Sequence, residues 1–468
     1  MASAVDQIDP EHLKDWLVQQ RWFASKSREV AALRLLEAAP LDTSPEPQMV
    51  LAIVEVAFGP GTHELYHLPL GLRHVDEGWD QGVVCTAGDR TVYDAMVDPA
   101  LARRLVAALR QEKRIEQEGG EGDEAWAFHS VSGLPPDDGL DPVRPIGVEQ
   151  SNSSTVFADE LILKVYRRIE PGPNPELELL RFLTDHGFDN IAQLRGWYEH
   201  TGRLVDATLG LMQEFLPGAG DGWDLVLDAF AADGGEAVLA DLADLGTVTA
   251  RMHSTLGSDS SDPSFAPEEP SAEAVSLILA TIDQDIEHVF RDMPETEATA
   301  PIAGRGLEVR DQLRALAHAG SGGMVTRTHG DYHLGQCLRS PQKGWVILDF
   351  EGEPARSLPE RRQKRSPLRD VAGMLRSFAY AASASELQRG VAAPDDWEER
   401  ARRAFLDAYL AEIDGRLLPA GTQNTERMLA IFELEKAVYE LRYELNNRPD
   451  WVRIPVAGIV RLLETEVA

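Results

Sequence analysis

The stretch His329-Gly330-Asp331-Tyr332-His333-Leu334-Gly335-Gln336, taken with Asp349-Phe350-Glu351 a little downstream, decides the fold of this chain. A turn and the strand-like segment Val346-Ile347-Leu348 lie between the two stretches. Both stretches carry carboxylate and amide side chains, whose oxygens are the hard ligands that magnesium prefers. A carboxylate can also accept a proton from a hydroxyl group. We therefore expect the two stretches to build one polar site.

The spacing of these side chains resembles the template for phosphoryl transfer. There, H-R-D-x-x-x-x-N supplies a base on its aspartate and a metal ligand five positions later, and Asp-Phe-Gly supplies another metal ligand. By this spacing Asp331 is predicted to activate an acceptor hydroxyl, and Asp349 to bind magnesium beside the phosphates of ATP. Gln336, in the place of asparagine, and Glu351 are predicted as further ligands. An ordinary turn is the alternative for Thr-His-Gly-Asp alone, but two elements in the right order favour a kinase.

A lysine in an apolar strand is the second sign of a nucleotide site. Lys164 lies in Leu161-Ile162-Leu163-Lys164-Val165-Tyr166, and kinases pair such a lysine with a glutamate on the following helix. Glu176 and Glu178 both follow in a helix-like segment, and Glu178 is the preferred partner. The alternative is a solvated lysine on an edge strand.

No glycine-rich loop precedes Lys164, which argues against a standard protein kinase. Small polar residues occupy that place: Ser151, Asn152, Ser153 and Ser154. A turn of such residues can present N–H groups and hydroxyls to phosphate oxygens, although a plain hairpin turn has the same composition. The stretch 212–217 is predicted as the hinge that contacts adenine, through Gln213, Glu214 and Leu216.

The composition limits the possible functions. A net charge of −33 over 468 residues argues against nucleic acid and anionic lipid as partners. No apolar run approaches the roughly 20 residues of a membrane span, and the N-terminus lacks a secretory signal, so we expect a cytoplasmic protein. Cys85 and Cys337 are expected to be reduced packing residues.

The order of the predicted elements indicates an α+β protein with two lobes. Strand-like segments such as 49–56, 63–68 and 161–166 come first, and nearly everything after residue 216 has helical spacing except the stretch 328–353. We predict a cap subdomain at 1–95, the remainder of a strand-rich N-lobe at 96–211 and a helical C-lobe at 212–468.

With these residues in hand, the chain resembles the bacterial maltokinases, within the group of aminoglycoside-phosphotransferase-like and choline-kinase-like proteins. The resemblance extends almost from end to end. It includes Gln20-Arg21-Trp22-Phe23-Ala24, Asn174-Pro175-Glu176-Leu177-Glu178, both stretches quoted first, Ser366-Pro367-Leu368-Arg369-Asp370-Val371-Ala372-Gly373, Glu435-Lys436-Ala437-Val438-Tyr439-Glu440 and Arg448-Pro449-Asp450-Trp451.

This resemblance implies a two-lobed protein-kinase-like fold with an N-terminal cap, and ATP- and magnesium-dependent phosphorylation of maltose at its anomeric hydroxyl. The product, maltose 1-phosphate, would serve α-glucan (glycogen) synthesis beside trehalose synthase. Relatives of the family phosphorylate glucosamine, so an aminosugar or another small hydroxyl acceptor is the alternative.

The sugar is expected to bind in the helical lobe. Spacings of three and four place several polar and aromatic side chains on one helix face: Lys436, Tyr439, Glu440 and Tyr443. The alternative is a surface helix with ion pairs. His333 is predicted either to cap a helix or to enter the acceptor site.

Overall fold

The computed structural model describes residues 8–42, 46–59, 61–116, 124–131, 133–146, 152–203, 205–317 and 323–464. The chain divides into two compact units. The first unit comprises Met1–Arg181 and Ala192–Pro217, and the second comprises Phe182–Ile191 and Gly218–Ala468. The finer boundary at residue 95 stays a prediction.

Strands dominate the first unit, as the apolar segments of the sequence predicted. Its strands are β1 (Val30–Pro40), β2 (Gln48–Phe58), β3 (His63–His74), β4 (Val83–Ala87), β5 (Arg90–Asp94), β6 (Arg114–Glu116), β7 (Ala125–Ser130), β8 (Val143–Ile146), β9 (Asn152–Phe157), β10 (Leu161–Tyr166), β11 (Arg168–Ile169), β12 (Leu194–Thr201) and β13 (Ala207–Glu214). Its helices are α1 (Pro10–Leu17), α2 (Pro99–Arg110) and the first part of α3 (Pro175–Asp185). Helix α1 begins where the Asp9 carboxylate accepts from the N–H of Glu11 and Pro10 fixes the first turn.

Two antiparallel sheets form the frame of this unit within the described ranges. The first has the order β1-β2-β3-β5-β4, with β11 paired to β3, and the second has the order β6-β7-β12-β13-β10-β9-β8. Helix α1 contributes Leu13 and Leu17 to one core against the first sheet. Helix α2 packs Leu101 and Leu105 into another core with side chains of both sheets. These buried layers hold β10, the strand of Lys164, in the interior of the second sheet.

Helices dominate the second unit. They are α4 (Gly222–Asp233), α5 (Val238–Leu256), α6 (Ala272–Asp292), α7 (Gly306–Leu316), α8 (Leu358–Arg361), α9 (Leu368–Arg389), α10 (Trp397–Glu412), α11 (Thr422–Asn447) and α12 (Arg453–Glu464). A small sheet has the order β14-β15-β16, with β14 at Gly220–Asp221, β15 at Cys337–Ser340 and β16 at Gly344–Ile347. The hairpin of β15 and β16 separates the two stretches quoted at the outset.

Helix α9 is buried along most of its length, and it packs against α11 and α10. It also contacts the short 3-10 helix Leu334–Gln336, which belongs to the first of the two stretches quoted at the outset. None of the described helices combines the length and the apolar character needed to cross a lipid bilayer. The predicted α+β fold, with strands before helices, is confirmed.

Candidate functional site

The backbone of the loop 329–336 is fixed by one buried carboxylate. Asp370, in the first turn of α9, accepts from the N–H of His329 at 2.7 Å and from the N–H of Gly330 at 2.9 Å. The same carboxylate lies 3.1 Å from Nε2 of His253 on α5. Burial alone would raise the pKa of Asp370, but the His253 contact and the Gly330 N–H outweigh it, so the pKa lies below its usual value. Asp370 is therefore held as a carboxylate that positions the loop.

Close packing fixes the rest of this loop. The hydroxyls of Tyr332 and Thr249 lie 2.8 Å apart, and the Leu334 N–H donates to the Ser377 hydroxyl at 3.1 Å. Gly373 of α9 has no side chain where the loop crosses it, and a Cβ there would lie 2.7 Å from the Tyr332 carbonyl oxygen. Only glycine allows the helix to approach so closely.

The two stretches quoted at the outset meet in the second unit. His329 Nε2 lies 2.7 Å from the carbonyl oxygen of Leu348, the residue before Asp349. Asp349 adopts a left-handed backbone with φ of 60°, which costs free energy in a non-glycine residue and is typical of functional sites. The amide nitrogen of Gln336 lies 3.1 Å from Asp349 Oδ2.

These side chains fit the predicted magnesium site. A carboxylate oxygen of Asp349 lies within 4.8 Å of one of Glu351, and the ends of the Gln336 amide exchange by a simple rotation. Two carboxylates within this distance, with the Gln336 amide beside one of them, form a set of hard donors suited to magnesium. Asp349, Glu351 and Gln336 would hold the ion, and the ion would neutralise charge on ATP phosphates.

Asp331 lines a cavity of about 260 Å³ in the second unit, called the Asp331 cavity below. Its lining carries many charged side chains: Asp285, Asp331, Glu353, Arg356, Glu360, Arg361, Arg365, Arg369, Asp370, Glu435, Lys436 and Arg442. Lys436 Nζ lies 3.8 Å from Asp331 Oδ1. Tyr439 also lines this cavity, and burial and the nearby Glu353 raise the pKa of its hydroxyl to about 12. Asp331 is half-buried and faces a space that a small molecule can enter.

A second cavity, of about 590 Å³, contains His333 and is called the His333 cavity below. Its lining combines aromatic rings with polar groups: Asp221, Trp223, Asp224, His333, Tyr380, Gln388, Lys436, Glu440, Arg448 and Trp451. The rings of Tyr380 and Trp451 stack with centroids 6.0 Å apart. Lys436 and Gly373 line both cavities, so the two spaces adjoin at these residues.

The structure separates the five predicted sugar residues. His333 caps the short 3-10 helix Leu334–Gln336 by accepting from the Gly335 N–H at 3.1 Å, and it lines the His333 cavity, so both predicted roles are compatible with its position. Burial lowers its pKa. Lys436 and Tyr439 line the Asp331 cavity.

Of the remaining two sugar residues, Glu440 lines the His333 cavity and stays a prediction, whereas Tyr443 needs correction. Glu440 is buried in an ion pair with Arg376, at 2.9 Å from its Nε, so its carboxylate already has a partner. Tyr443 is 46% exposed and is not among the described lining residues of either cavity. Helical spacing grouped both residues with Lys436, but Glu440 lines the His333 cavity together with Lys436, whereas Tyr443 faces solvent.

In the first unit, Lys164 pairs with a glutamate of α3, as predicted, but the observed partner is Glu176. Lys164 Nζ lies 3.0 Å from Glu176 Oε1, and the Tyr166 hydroxyl donates to Glu176 Oε2 at 2.7 Å. Glu176 is buried, whereas Glu178 is half-buried. The preference for Glu178 was therefore wrong, because helix phase alone could not show which glutamate points at β10.

The predicted phosphate loop is only partly a loop. Ser151 lies outside the described residues, whereas Asn152, Ser153 and Ser154 belong to strand β9. Ser153 accepts from Arg167 Nε at 2.8 Å, and Ser154 is buried opposite Lys164 in the β9–β10 register. These three residues are thus held by the sheet, which corrects their predicted placement in a turn. Contact with phosphate stays a prediction for them and for Ser151.

The predicted hinge coincides with the end of β13. Gln213 is buried and pairs with Ile162, and the Glu214 N–H donates to the Gln193 carbonyl at 2.9 Å. An adenine contact through that N–H would compete with the sheet. Leu216, just before the unit boundary at Pro217, is half-buried and stays a candidate.

Sequence reasoning missed three residues of the site. Asp370 could have been noticed as a carboxylate directly before the apolar segment 371–375. Trp223 and Tyr380 carry no local signal, because helix packing alone brings them into the His333 cavity.

Comparisons with known proteins agree with this architecture. The model described as "Maltokinase N-terminal cap domain" matches residues 16–98, and the model described as "Phosphotransferase enzyme family" matches residues 142–406, more than half of the chain. A glucosamine kinase of Streptacidiphilus jiangxiensis is 28% identical over 379 residues, which are 77% of this chain and 81% of that protein. A glucosamine kinase of Mycolicibacterium smegmatis is 28% identical over 382 residues, 78% of this chain and 88% of that protein.

A solved structure shares the fold. It is a glucosamine kinase in complex with glucosamine, ADP and inorganic phosphate, similar with a TM-score of 0.72 at 23% identity over 98% of both chains. The predicted two-lobed, kinase-like architecture with an N-terminal cap is confirmed by these matches.

Proposed function

The chain belongs to the phosphotransferase enzyme family, and from this premise we propose that it is an ATP- and magnesium-dependent sugar kinase that phosphorylates the anomeric hydroxyl of maltose. The products are ADP and maltose 1-phosphate. The observation that carries the choice of sugar is the ammonium group of Lys436, 3.8 Å from Asp331 at the expected position of the acceptor.

Asp331 is suited to orient and deprotonate the acceptor hydroxyl. The hydrogen bonds from His329 and Gly330 to Asp370 fix the backbone just before it, and its carboxylate lines a cavity. A positioned base of this kind typically contributes about 10²–10⁴-fold to a rate. Asp349, Gln336 and Glu351 lie within the same unit and would supply oxygens to magnesium.

The charges around Asp331 favour a neutral acceptor over a cationic one. Lys436 lines the cavity beside Asp331, and its positive charge would repel the ammonium group of an aminosugar. In the His333 cavity the carboxylates already have partners. Asp224 pairs with Arg389 at 2.9 Å, Glu440 pairs with Arg376, and Asp221 accepts from the Trp223 N–H.

The aromatic wall of the His333 cavity supports a sugar of two rings. Tyr380 and Trp451 stack there, and Trp223 also lines the space. Flat rings next to hydrogen-bonding groups suit the apolar faces and hydroxyls of a sugar. The two cavities adjoin at Lys436, so one glucose ring of maltose would reach Asp331 while the other lies against these aromatic residues.

Glucosamine is the second candidate, because both curated relatives described above carry the name glucosamine kinase. Their kinase activity on that sugar is a property of those proteins at 28% identity. For this chain, the pairing of the carboxylates described above weighs against an ammonium acceptor. If maltose is the substrate, an enzyme that makes maltose, such as trehalose synthase, would supply it, and an α-glucan-forming enzyme would consume the product.

The test is an ATP-consumption screen over maltose, glucosamine, glucose, trehalose and aminoglycosides, run with the purified full-length chain and with Lys436→Gln. We expect wild type to prefer maltose, measured as kcat/KM from ADP release. Removal of the ammonium charge in Lys436→Gln should raise the ratio of glucosamine to maltose activity several-fold.

Arg403→Gln, which removes one charge from the exposed side of α10, is the matched control and should leave that ratio unchanged. A clear preference of the wild-type chain for glucosamine would overturn maltose as the acceptor. It would leave the roles of Asp331 and Asp349 untouched.

A further inference from the structure

One wall of the Asp331 cavity is unusually rich in guanidinium groups for so acidic a chain. Arg356, Arg365 and Arg369 all line it. Arg356 Nε lies 2.7 Å from Glu353, and Arg369 lies 2.9 Å from Glu435, so each of these two has a carboxylate partner. On the far side, Arg442 faces Asp285 at 3.5 Å. Arg365 lies near Arg356 and Arg369, but its hydrogen-bond neighbours are of a different kind.

Arg365 has only neutral neighbours at hydrogen-bond distance within the described part of the chain. Its Nη2 lies 3.4 Å from the Glu360 carbonyl oxygen and 3.4 Å from the Gln363 side chain, both at the limit of a hydrogen bond. It is half-buried. Burial and the charges of Arg369 and Arg356 lower the pKa of Arg365 to about 10, even though the nearby carboxylates of Glu435 and Glu353 act to raise this pKa. A half-buried charge beside like charges is costly unless an anion accompanies it.

The residues assigned to ATP and magnesium do not account for this wall. Asp349, Gln336 and Glu351 are not among the described lining residues of the Asp331 cavity, whereas Asp331 is. The three arginines therefore lie on the side of the base, where the acceptor and its product bind. Arginine presents a planar fork of donors that fits the oxygens of a phosphate group.

We propose that Arg365, with Arg356 and Arg369 beside it, forms a subsite that binds a phosphate group next to Asp331. The group belongs either to the sugar 1-phosphate product or to free inorganic phosphate. This inference rests on the proposed function only in the identity of the product. The subsite holds the phosphate group once transfer is complete, and free phosphate occupying it competes with the acceptor sugar.

The test measures binding by titration calorimetry on the full chain without nucleotide, using inorganic phosphate, glucose 1-phosphate, maltose 1-phosphate and maltose as probes. We expect Arg365→Gln to weaken the binding of phosphate and of the sugar phosphates by about tenfold or more, as loss of a charge-assisted hydrogen bond does. Maltose affinity should change little. Arg403→Gln, with the same change in net charge, should bind all four probes as wild type does.

Arg365→Lys keeps the charge without the fork and should recover part of the affinity. Thermal melting of each variant shows whether it is folded, and a folded Arg365→Lys with restored binding supports the subsite even if Arg365→Gln is unstable. Steady-state inhibition adds a second readout. Phosphate should be competitive with the sugar in wild type, and its inhibition constant should rise by the same factor in Arg365→Gln.

Two results would overturn the subsite. One is the absence of phosphate binding to the wild-type chain at millimolar concentration, and the other is equal weakening in Arg365→Gln and Arg403→Gln. Binding of free phosphate but not of sugar phosphates, or the reverse, would support the subsite and identify its source of phosphate. Because calorimetry with inorganic phosphate needs no turnover, a chain inactive on maltose would refute the proposed acceptor and still report on Arg365.

Discussion

At the scale of single residues, the Asp331 carboxylate lies close to one cation. Its carboxylate faces the Lys436 ammonium group at 3.8 Å, too far for a hydrogen bond but close enough for attraction. The lysine thus holds the carboxylate in the cavity without taking its lone pairs. An acceptor hydroxyl can therefore approach a base that is oriented but still available.

Replacement of this base should stop catalysis without unfolding the chain. In Asp331→Asn we expect kcat to fall by roughly 10²–10⁴-fold, because the amide cannot accept the proton while its size is retained. The free energy of unfolding should change by less than about 1 kcal/mol, since the side chain is only half-buried. ADP release and urea denaturation measure the two effects. Turnover equal to that of wild type would refute the assignment of the base.

The choice between Glu176 and Glu178 can be tested by a pair of matched variants. Glu176→Gln removes the charge 3.0 Å from Lys164, so kcat/KM for ATP should fall by roughly tenfold or more, the cost of one charge-assisted hydrogen bond. Glu178→Gln makes the same chemical change two positions along α3 and should stay within about twofold of wild type. Equal losses in both variants would contradict the assignment of Glu176 as the partner.

Among the elements, helix α9 governs the geometry of the loop 329–336. Its first turn supplies Asp370 to the backbone of His329 and Gly330, its middle supplies the gap at Gly373, and Ser377 binds the Leu334 N–H one turn later. Three successive contacts along one helix give the loop a single position. The family resemblance covers this segment, but the roles of its residues became visible only from the coordinates.

The carboxylate of Asp370 should make a pH-dependent contribution to stability. Its folded pKa lies below the unfolded value near 3.9, so its stabilisation is complete above that value and is lost as the pH falls through the folded pKa. Asp370→Asn should lower the free energy of unfolding by about 1–3 kcal/mol at pH 7, because one backbone N–H loses its acceptor. Urea denaturation at pH 7, 5 and 3 should show the difference from wild type shrinking only at the lowest pH. A difference that stays constant over this range would contradict the argument.

The close approach at Gly373 gives an element-level prediction that involves no charge. Gly373→Ala places a Cβ 2.7 Å from the Tyr332 carbonyl oxygen, so the loop must shift, and we expect a loss of about 1–3 kcal/mol in stability with a larger proportional loss of kcat. Gly415→Ala is the control, since nothing lies within 4 Å of its Cβ. Differential scanning calorimetry and ADP release would measure both. Similar behaviour of the two variants would show that the contact is unimportant.

Over the whole molecule, the net charge differs from the local charge in the Asp331 cavity. The net charge of −33 disfavours polyanions as partners on electrostatic grounds, whereas the described lining of the Asp331 cavity balances six Arg and Lys side chains against six Asp and Glu side chains. A small anion therefore meets more positive charge in this cavity than the overall charge of the chain suggests. The residues that line the cavity are therefore a better guide to the charge of its ligand than the net charge of the chain.

The sequence allowed the fold class and the loop residues to be predicted, because strand and helix periodicity and the spacing from Asp331 to Gln336 are local properties. Glu176, Asp370 and the aromatic residues of the His333 cavity depend on which side chains meet across distant segments. Helix α11 shows what helical periodicity cannot predict. Its period correctly grouped Lys436 and Tyr439, but Glu440 has a buried partner, Arg376, that lies 64 positions away in the chain.

The carboxylate at the start of α9 has one further consequence. Because Asp370 also contacts His253, and His253 lies 3.0 Å from the hydroxyl of Tyr409, the loop's position depends on side chains of α5 and α10 that line neither cavity. A substitution at either residue would change no side chain among the described lining residues of the two cavities. Such a variant would nevertheless displace the loop through Asp370, and the result would be a folded protein without activity.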